Sequence, residues 1–174
     1  LDVTIIVNPT PPISVTTSSD TLCLGDSTTL TANSSGVSYQ WSGGSSSTDS
    51  SITVSPTNTT NYYVEASNGV CNNSDSVSIV VNAIPVGDVS PDTTICTGTS
   101  ITLTATGAGS YQWSGGSTAN TPSITVSPVT TTNYTVTPLN GSCAGTPLDV
   151  TIIVNPTPPI IVTTRSDTLC LGDS

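Results

Sequence analysis

Five cysteines, Cys23, Cys71, Cys96, Cys143 and Cys170, are the residues of this chain best suited to covalent chemistry. None forms a Cys-x-x-Cys pair, and histidine is absent, so a thiolate–imidazole zinc site lacks a ligand set. Without histidine there is also no side chain that ordinarily exchanges protons near neutral pH. Lysine is absent too, which removes amine nucleophiles and Schiff-base chemistry. Aspartates recur beside Ser, Thr and Gly (Asp20, Asp26, Asp92), where a carboxylate accepts hydrogen bonds from nearby backbone in a turn. No two acids stand out as a pair for glycoside hydrolysis. No loop carries calcium-ligand spacing, although Asp88 and Asp92 sit close together. The expectation is therefore no catalytic, cofactor-binding or metal-binding residue, with the cysteines serving structure.

The rest of the composition narrows the partners. The net charge is −10, with Arg165 the single cation, and such a surface repels phosphate backbones and anionic lipid heads. Nucleic acid and membrane insertion are not expected, and no apolar run approaches a membrane span. Charged residues are only 7% of the chain, too few for a solvated acidic tail. Thr, Val and Ile are abundant and β-branched, which suits strands and disfavours helices. Spaced cysteines in such a chain fit disulfides and an oxidising, extracellular setting.

The elements that position these residues are repeated. Residues 1–27 recur as 148–174, an offset of 147 from Leu1 to Leu148, with only Ser14/Ile161 and Ser18/Arg165 differing. A shorter period lies inside: SYQWSGG at 38–44 returns at 110–116, SITVSP at 51–56 returns at 123–128, and TTNY at 59–62 returns at 131–134. Two diverged units thus make one larger repeat. In the first unit, alternation predicts strands over 13–17, 27–32, 38–42, 51–55, 61–67 and 76–82. It points Leu30, Tyr39, Trp41, Ile52, Val54, Tyr62, Val64, Val77, Ile79 and Val81 inward, and the second unit supplies matching residues, including Trp113 and Tyr134. Trp41 and Trp113 are placed in the core with Tyr62 and Tyr134, rather than exposed as sugar-stacking platforms. Asn68-Gly69 and Asn140-Gly141 mark tight hairpins between strands. Short strands, turns every few residues, a Trp strand and then a Tyr-led strand are the order of an immunoglobulin-like antiparallel β-sandwich. The position two residues after that Tyr is Val64 or Val136, so the cross-sheet disulfide of antibodies is absent.

These residues resemble a known family. The pattern C-x-G-x-S-x-x-L-T-A, Y-x-W, S-P-x-x-T-T-x-Y-x-V, a Cys after Asn-Gly, then V-x-I-x-V-N and Pro is similar to the Ig-like repeats of large secreted proteins of the Bacteroidota. Such repeats often accompany type IX secretion or gliding-motility-associated domains. The resemblance implies cell-surface stalks, adhesins and filaments, or spacers in secreted enzymes. It also draws attention to Asp-Ser/Thr triplets similar to the O-glycosylation acceptors of that phylum, with Thr21, Ser27, Ser76, Thr93 and Thr168 as the acceptors.

The organisation expected is a last strand of a preceding domain at 1–8, domain 1 at 9–82, domain 2 at 83–155, and a first strand of a following domain at 156–174. Two disulfide schemes follow. The simpler pairs Cys23 with Cys71 and Cys96 with Cys143 within each unit. Against it, Cys23 precedes a turn at one end of a sandwich and Cys71 follows a hairpin at the other, roughly 17 Å away along a five-residue strand. A disulfide needs Cα atoms within about 7 Å. Head-to-tail stacking instead brings Cys23 to Cys143, leaving Cys71, Cys96 and Cys170 to pair with copies outside the chain. Either scheme closes long loops, worth roughly 4 kcal/mol each in the chain-entropy description. The Pro-bearing linkers NPTPP (8–12 and 155–159) and NAIP (82–85) favour an extended rod. The function expected is a structural segment of an extracellular array: a cell-surface stalk, adhesin or filament partnered by further copies of the repeat. The alternative is a spacer or carbohydrate-binding array in a secreted enzyme, gripping a glycan or other surface ligand.

Overall fold

Alternating Thr and Val/Ile runs punctuated by Gly and Asn turns dictate short strands. In the computed structural model, which describes residues 2–35 and 37–162, those residues form fifteen strands and no helix. Domain 1 contains β1 (Ser14–Thr17), β2 (Thr21–Cys23), β3 (Thr28–Asn33), β4 (Ser38–Ser42), β5 (Ser51–Val54), β6 (Thr60–Ser67) and β7 (Asn72–Asn82). They form two sheets, ordered β1-β3-β5 and β2-β7-β6-β4. Domain 2 repeats the plan with β8 (Asp88–Val89), β9 (Thr93–Cys96), β10 (Ile101–Thr106), β11 (Ser110–Ser114), β12 (Ser123–Val126), β13 (Thr132–Asn140), β14 (Cys143–Ala144) and β15 (Leu148–Asn155). Its sheets run β8-β10-β12 and β9-β15-β13-β11, with β14 beside β13.

Between the sheets of each domain lies one apolar core. Trp41 packs with Leu22, Leu30, Ile52, Tyr62, Val64 and Ile79. Trp113 packs with Leu103, Tyr111, Ile124, Tyr134, Val136, Val150 and Ile152. Each indole N–H, buried and in need of a partner, donates to a backbone carbonyl: Trp41 to Asp49 at 2.8 Å and Trp113 to Thr121 at 2.9 Å. Burial pushes the Tyr62 phenol above its ordinary value of 10.0. A raised folded-state value means that the contribution to stability is fully present below the unfolded value and is lost as pH rises through the folded one. Domain 1 is therefore expected to weaken above about pH 10, and Tyr62→Phe to flatten that decline, in denaturant titrations followed by tryptophan fluorescence.

The structure refines the expected fold at three places. The sandwiches are not wholly antiparallel: β2 pairs with β7 in parallel, and β9 pairs with β15 in parallel. The opening segment of each domain lines β3 or β10 with its first half, then crosses to the edge of the other sheet with its second. Alternation alone hid β2 and β9, because so short a strand presents only one or two inward residues. The last strand of domain 2 also breaks into β14 and β15, where Gly145 N–H donates to the Pro138 carbonyl at 2.8 Å.

The third concerns the flanks. Residues 2–8, expected as the last strand of a preceding domain, pair with no sheet in this chain, and Val3, Ile5, Ile6 and Val7 are more than 80% exposed. The same eight letters, LDVTIIVN, form β15 at 148–155, where Val150 and Ile152 are completely buried. The difference is the neighbours. Strand β15 lies between β13 and β9, whereas residues 2–8 pair with no strand among the described residues. Sheet pairing, not local preference, makes this segment a strand. Residues 156–162 likewise form no strand, and the remainder of the expected opening strand, with Arg165, Thr168 and Cys170, lies outside the described residues.

Candidate functional site: the junction between the domains

The residues with covalent chemistry converge where the two domains meet. Strand β2 ends at Cys23, which stands opposite Asn82 in the parallel register with β7. The turn beyond it is closed by the Asp26 N–H donating to the Cys23 carbonyl at 2.9 Å, with Gly25 supplying the positive φ of 99°. The Leu24 N–H donates to the Asn82 carbonyl at 2.9 Å, fixing the turn against the end of the domain's last strand. From the other side comes the β13–β14 hairpin, whose Asn140-Gly141 turn places Cys143 opposite Asn140. Asn140 Nδ2 donates to the Ala83 carbonyl in the linker at 3.1 Å.

Cys23 and Cys143 are joined by a disulfide with a Cα–Cα distance of 5.5 Å, closing a loop of 120 residues. Cys143 is buried at 1% exposure. The alternative pairs Cys23–Cys71 and Cys96–Cys143 do not form. Cys23 and Cys71 stand at opposite ends of β7: Cys23 faces its last residue, and Cys71 immediately precedes its first. Among the described residues, Cys71 and Cys96 carry free thiols.

The linker is packed, not merely tethered. Gly145 lies so close to Pro85 that a Cβ there would run into the Pro85 carbonyl oxygen as well as the Pro138 ring. Gly145→Ala is expected to destabilise domain 2 by about 1–3 kcal/mol, since neither a backbone oxygen nor a packed proline yields cheaply. Thermal unfolding of the variant beside the parent checks this.

Other candidate residues are dispersed. Trp41 and Trp113 are each 1% exposed, so neither offers a ring face to a glycan. The carboxylates serve backbone: Asp75 accepts from Val15 N–H, Asp92 from Thr151 N–H (each 2.8 Å), and Asp26 from Cys23 N–H at 3.3 Å. No group of three or more potential metal ligands gathers among the described residues. The candidate acceptors Thr21, Ser27 and Ser76 are exposed, and Thr93 is half-buried. The surface hollows at the junction are shallow, one of them lined by Ala83, Pro85, Ala108 and Asn140. No helix among the described residues is long and apolar enough to cross a membrane.

Two β-sandwiches, each with a split first strand, a core Trp and a Tyr-led strand, define tandem immunoglobulin-like domains. Residues 9–85 match the family described as "Ig-like domain CHU_C associated". That match spans the first domain, whose sequence is thus similar to the Ig-like domains of that family. No curated protein sequence matches the chain. Among solved structures, the fold is similar to extracellular domains 3–5 of Drosophila OTK (TM-score 0.57, 15% identity, covering 83% of this chain and 62% of that one). It is similar to an I-band fragment of titin (TM-score 0.56, 13% identity, 84% and 66%). It is also similar to murine CEACAM1b (TM-score 0.53, 13% identity, 84% and 100%). The chain therefore spans about two thirds of the OTK and titin structures. These likenesses establish the fold.

Proposed function

We propose that the chain is a structural segment of a long extracellular array of Ig-like repeats, giving reach and stiffness to a cell-surface stalk, adhesin or filament. The observation that carries this reading is the disulfide across the domain junction. A staple there fixes the spacing of two neighbours and does nothing for the chemistry of either. The near-identical flanks support it, because arrays lengthen by copying units that stack on their neighbours. The disulfide and the kinship of the first domain favour an oxidising location outside the cell. The scarcity of Lys and Arg removes trypsin-like cleavage sites, an advantage there. Burial of both Trp rings gives the carbohydrate-binding alternative no support.

Electron microscopy of the native polymer tests the reading. Uniform thin fibres of regularly spaced beads are expected; a short tether ending in a globular catalytic head would favour the enzyme-spacer alternative. The exposed Thr21, Ser27 and Ser76 hydroxyls fit O-glycan attachment. An intact mass equal to the bare polypeptide would exclude it.

A further inference from the structure

The junction between the two domains has a recognisable plan, and each outer end of the chain holds half of it. At the junction, Cys23 stands opposite Asn82, Leu24 N–H donates to the Asn82 carbonyl at 2.9 Å, and the Asn140 amide holds the following residue, Ala83. Cys143 then closes on Cys23.

At the far end of domain 2 the first half recurs. Cys96 stands opposite Asn155, and Thr97 N–H donates to the Asn155 carbonyl at 2.9 Å. Cys96 is exposed and free. The second half recurs at the near end of domain 1. The Asn68 amide donates to the Pro9 carbonyl at 2.9 Å, as Asn140 does to Ala83. Cys71 Sγ lies 3.5 Å from the Asn8 carbonyl oxygen. Asn8 and Asn155 occupy the same place in the repeat. Cys96 and Cys71 therefore each stand beside the same repeat asparagine, as Cys23 stands beside Asn82 at the junction where Cys143 closes on it.

We infer that the Cys96 end of domain 2 is a docking surface for a further copy of this repeat joined in cis, and that Cys96 forms a disulfide with Cys71 of that copy. This rests on the array reading above. The chemistry is thiol–disulfide exchange with a small-molecule disulfide such as oxidised glutathione. One protein thiolate attacks it, releasing one small thiol and leaving a mixed disulfide. The second protein thiolate attacks the protein sulfur of that mixed disulfide and releases the other small thiol. Two protein thiols are oxidised and one small disulfide is reduced.

The test uses a tandem chain in which residues 1–147 are followed directly by residues 1–174, refolded in a glutathione redox buffer and digested with pepsin without reduction. Peptides joining Cys23 to Cys143 within each copy establish that both copies have folded. In that sample, a peptide joining first-copy Cys96 to second-copy Cys71 is expected, with the loss of two alkylatable thiols. C96S in the first copy should return one alkylatable thiol at second-copy Cys71. If both Cys23–Cys143 peptides form while first-copy Cys96 and second-copy Cys71 remain alkylatable, the inference is overturned and the array reading stands. A junction lacking both kinds of cross-domain peptide overturns the two together.

Discussion

Replacing Cys23 by Ser and Cys143 by Ala is expected to lower the stability of both domains by about 4–5 kcal/mol and to separate their unfolding. The disulfide closes a loop of 120 residues that contains most of both sandwiches. Neither domain can unfold without its chain remaining pinned to its neighbour, so the unfolded state of each is held in a closed loop. Alanine is chosen at position 143 because that site is buried, where a serine hydroxyl would add its own cost. For domains of this size the loss corresponds to a fall in melting temperature on the order of 20 °C. It is a large fraction of the stability such small cores provide. Thermal unfolding with and without a reducing agent makes the check. Reductant should lower the parent to the level of the double variant and leave that variant unmoved. Equal melting temperatures for parent and variant would remove the staple from the account of stability.

The second large effect comes from making one substitution in two copies of the same eight residues. Ile152→Ala is expected to cost domain 2 about 2–5 kcal/mol, because Ile152 is completely buried on the core face of β15. Ile5→Ala, in the identical segment near the start of the chain, should change stability by less than about 0.5 kcal/mol, since Ile5 is 82% exposed. Equilibrium denaturation of the two variants beside the parent reads both values. Equal effects would mean that residues 2–8 find a sheet of their own in this chain.

Much of the fold was legible because alternation reports burial directly. Leu30, Trp41, Val64 and Ile79 were placed inward by their spacing and are all essentially inaccessible. Residues read the same way at the sheet ends, such as Val81 and Val154, are only half-buried, since the sandwich opens there. Ala32, Ala66 and Ala105 complete the cores although their small side chains carry little signal. Strand β2 was not legible, because Leu22 is its one fully buried residue and a parallel partner leaves no local mark. LDVTIIVN reads as a strand in both places, and it forms one only where neighbouring strands flank it. The meeting of Cys23 and Cys143 was legible only through topology: the spacing of cysteines says nothing until the ends of the sandwich are known. The tight seat of Pro85 against Gly145 left no sign in the sequence, since it depends on where the linker lands.

The disulfide has a consequence for a chain under tension. Pull on Pro9 and Asn155, and the continuous covalent route runs from Pro9 to Cys23, across the sulfur bridge, and from Cys143 to Asn155. Residues 24–142, between the two cysteines, are off that route. Even with both sandwiches torn open, that length, on the order of 400 Å of extended backbone, stays slack and adds nothing to the end-to-end distance. An ordinary string of Ig-like domains lengthens as its members give way. This one holds its length until a sulfur–sulfur bond is cut, behaving as a cable and not as a spring.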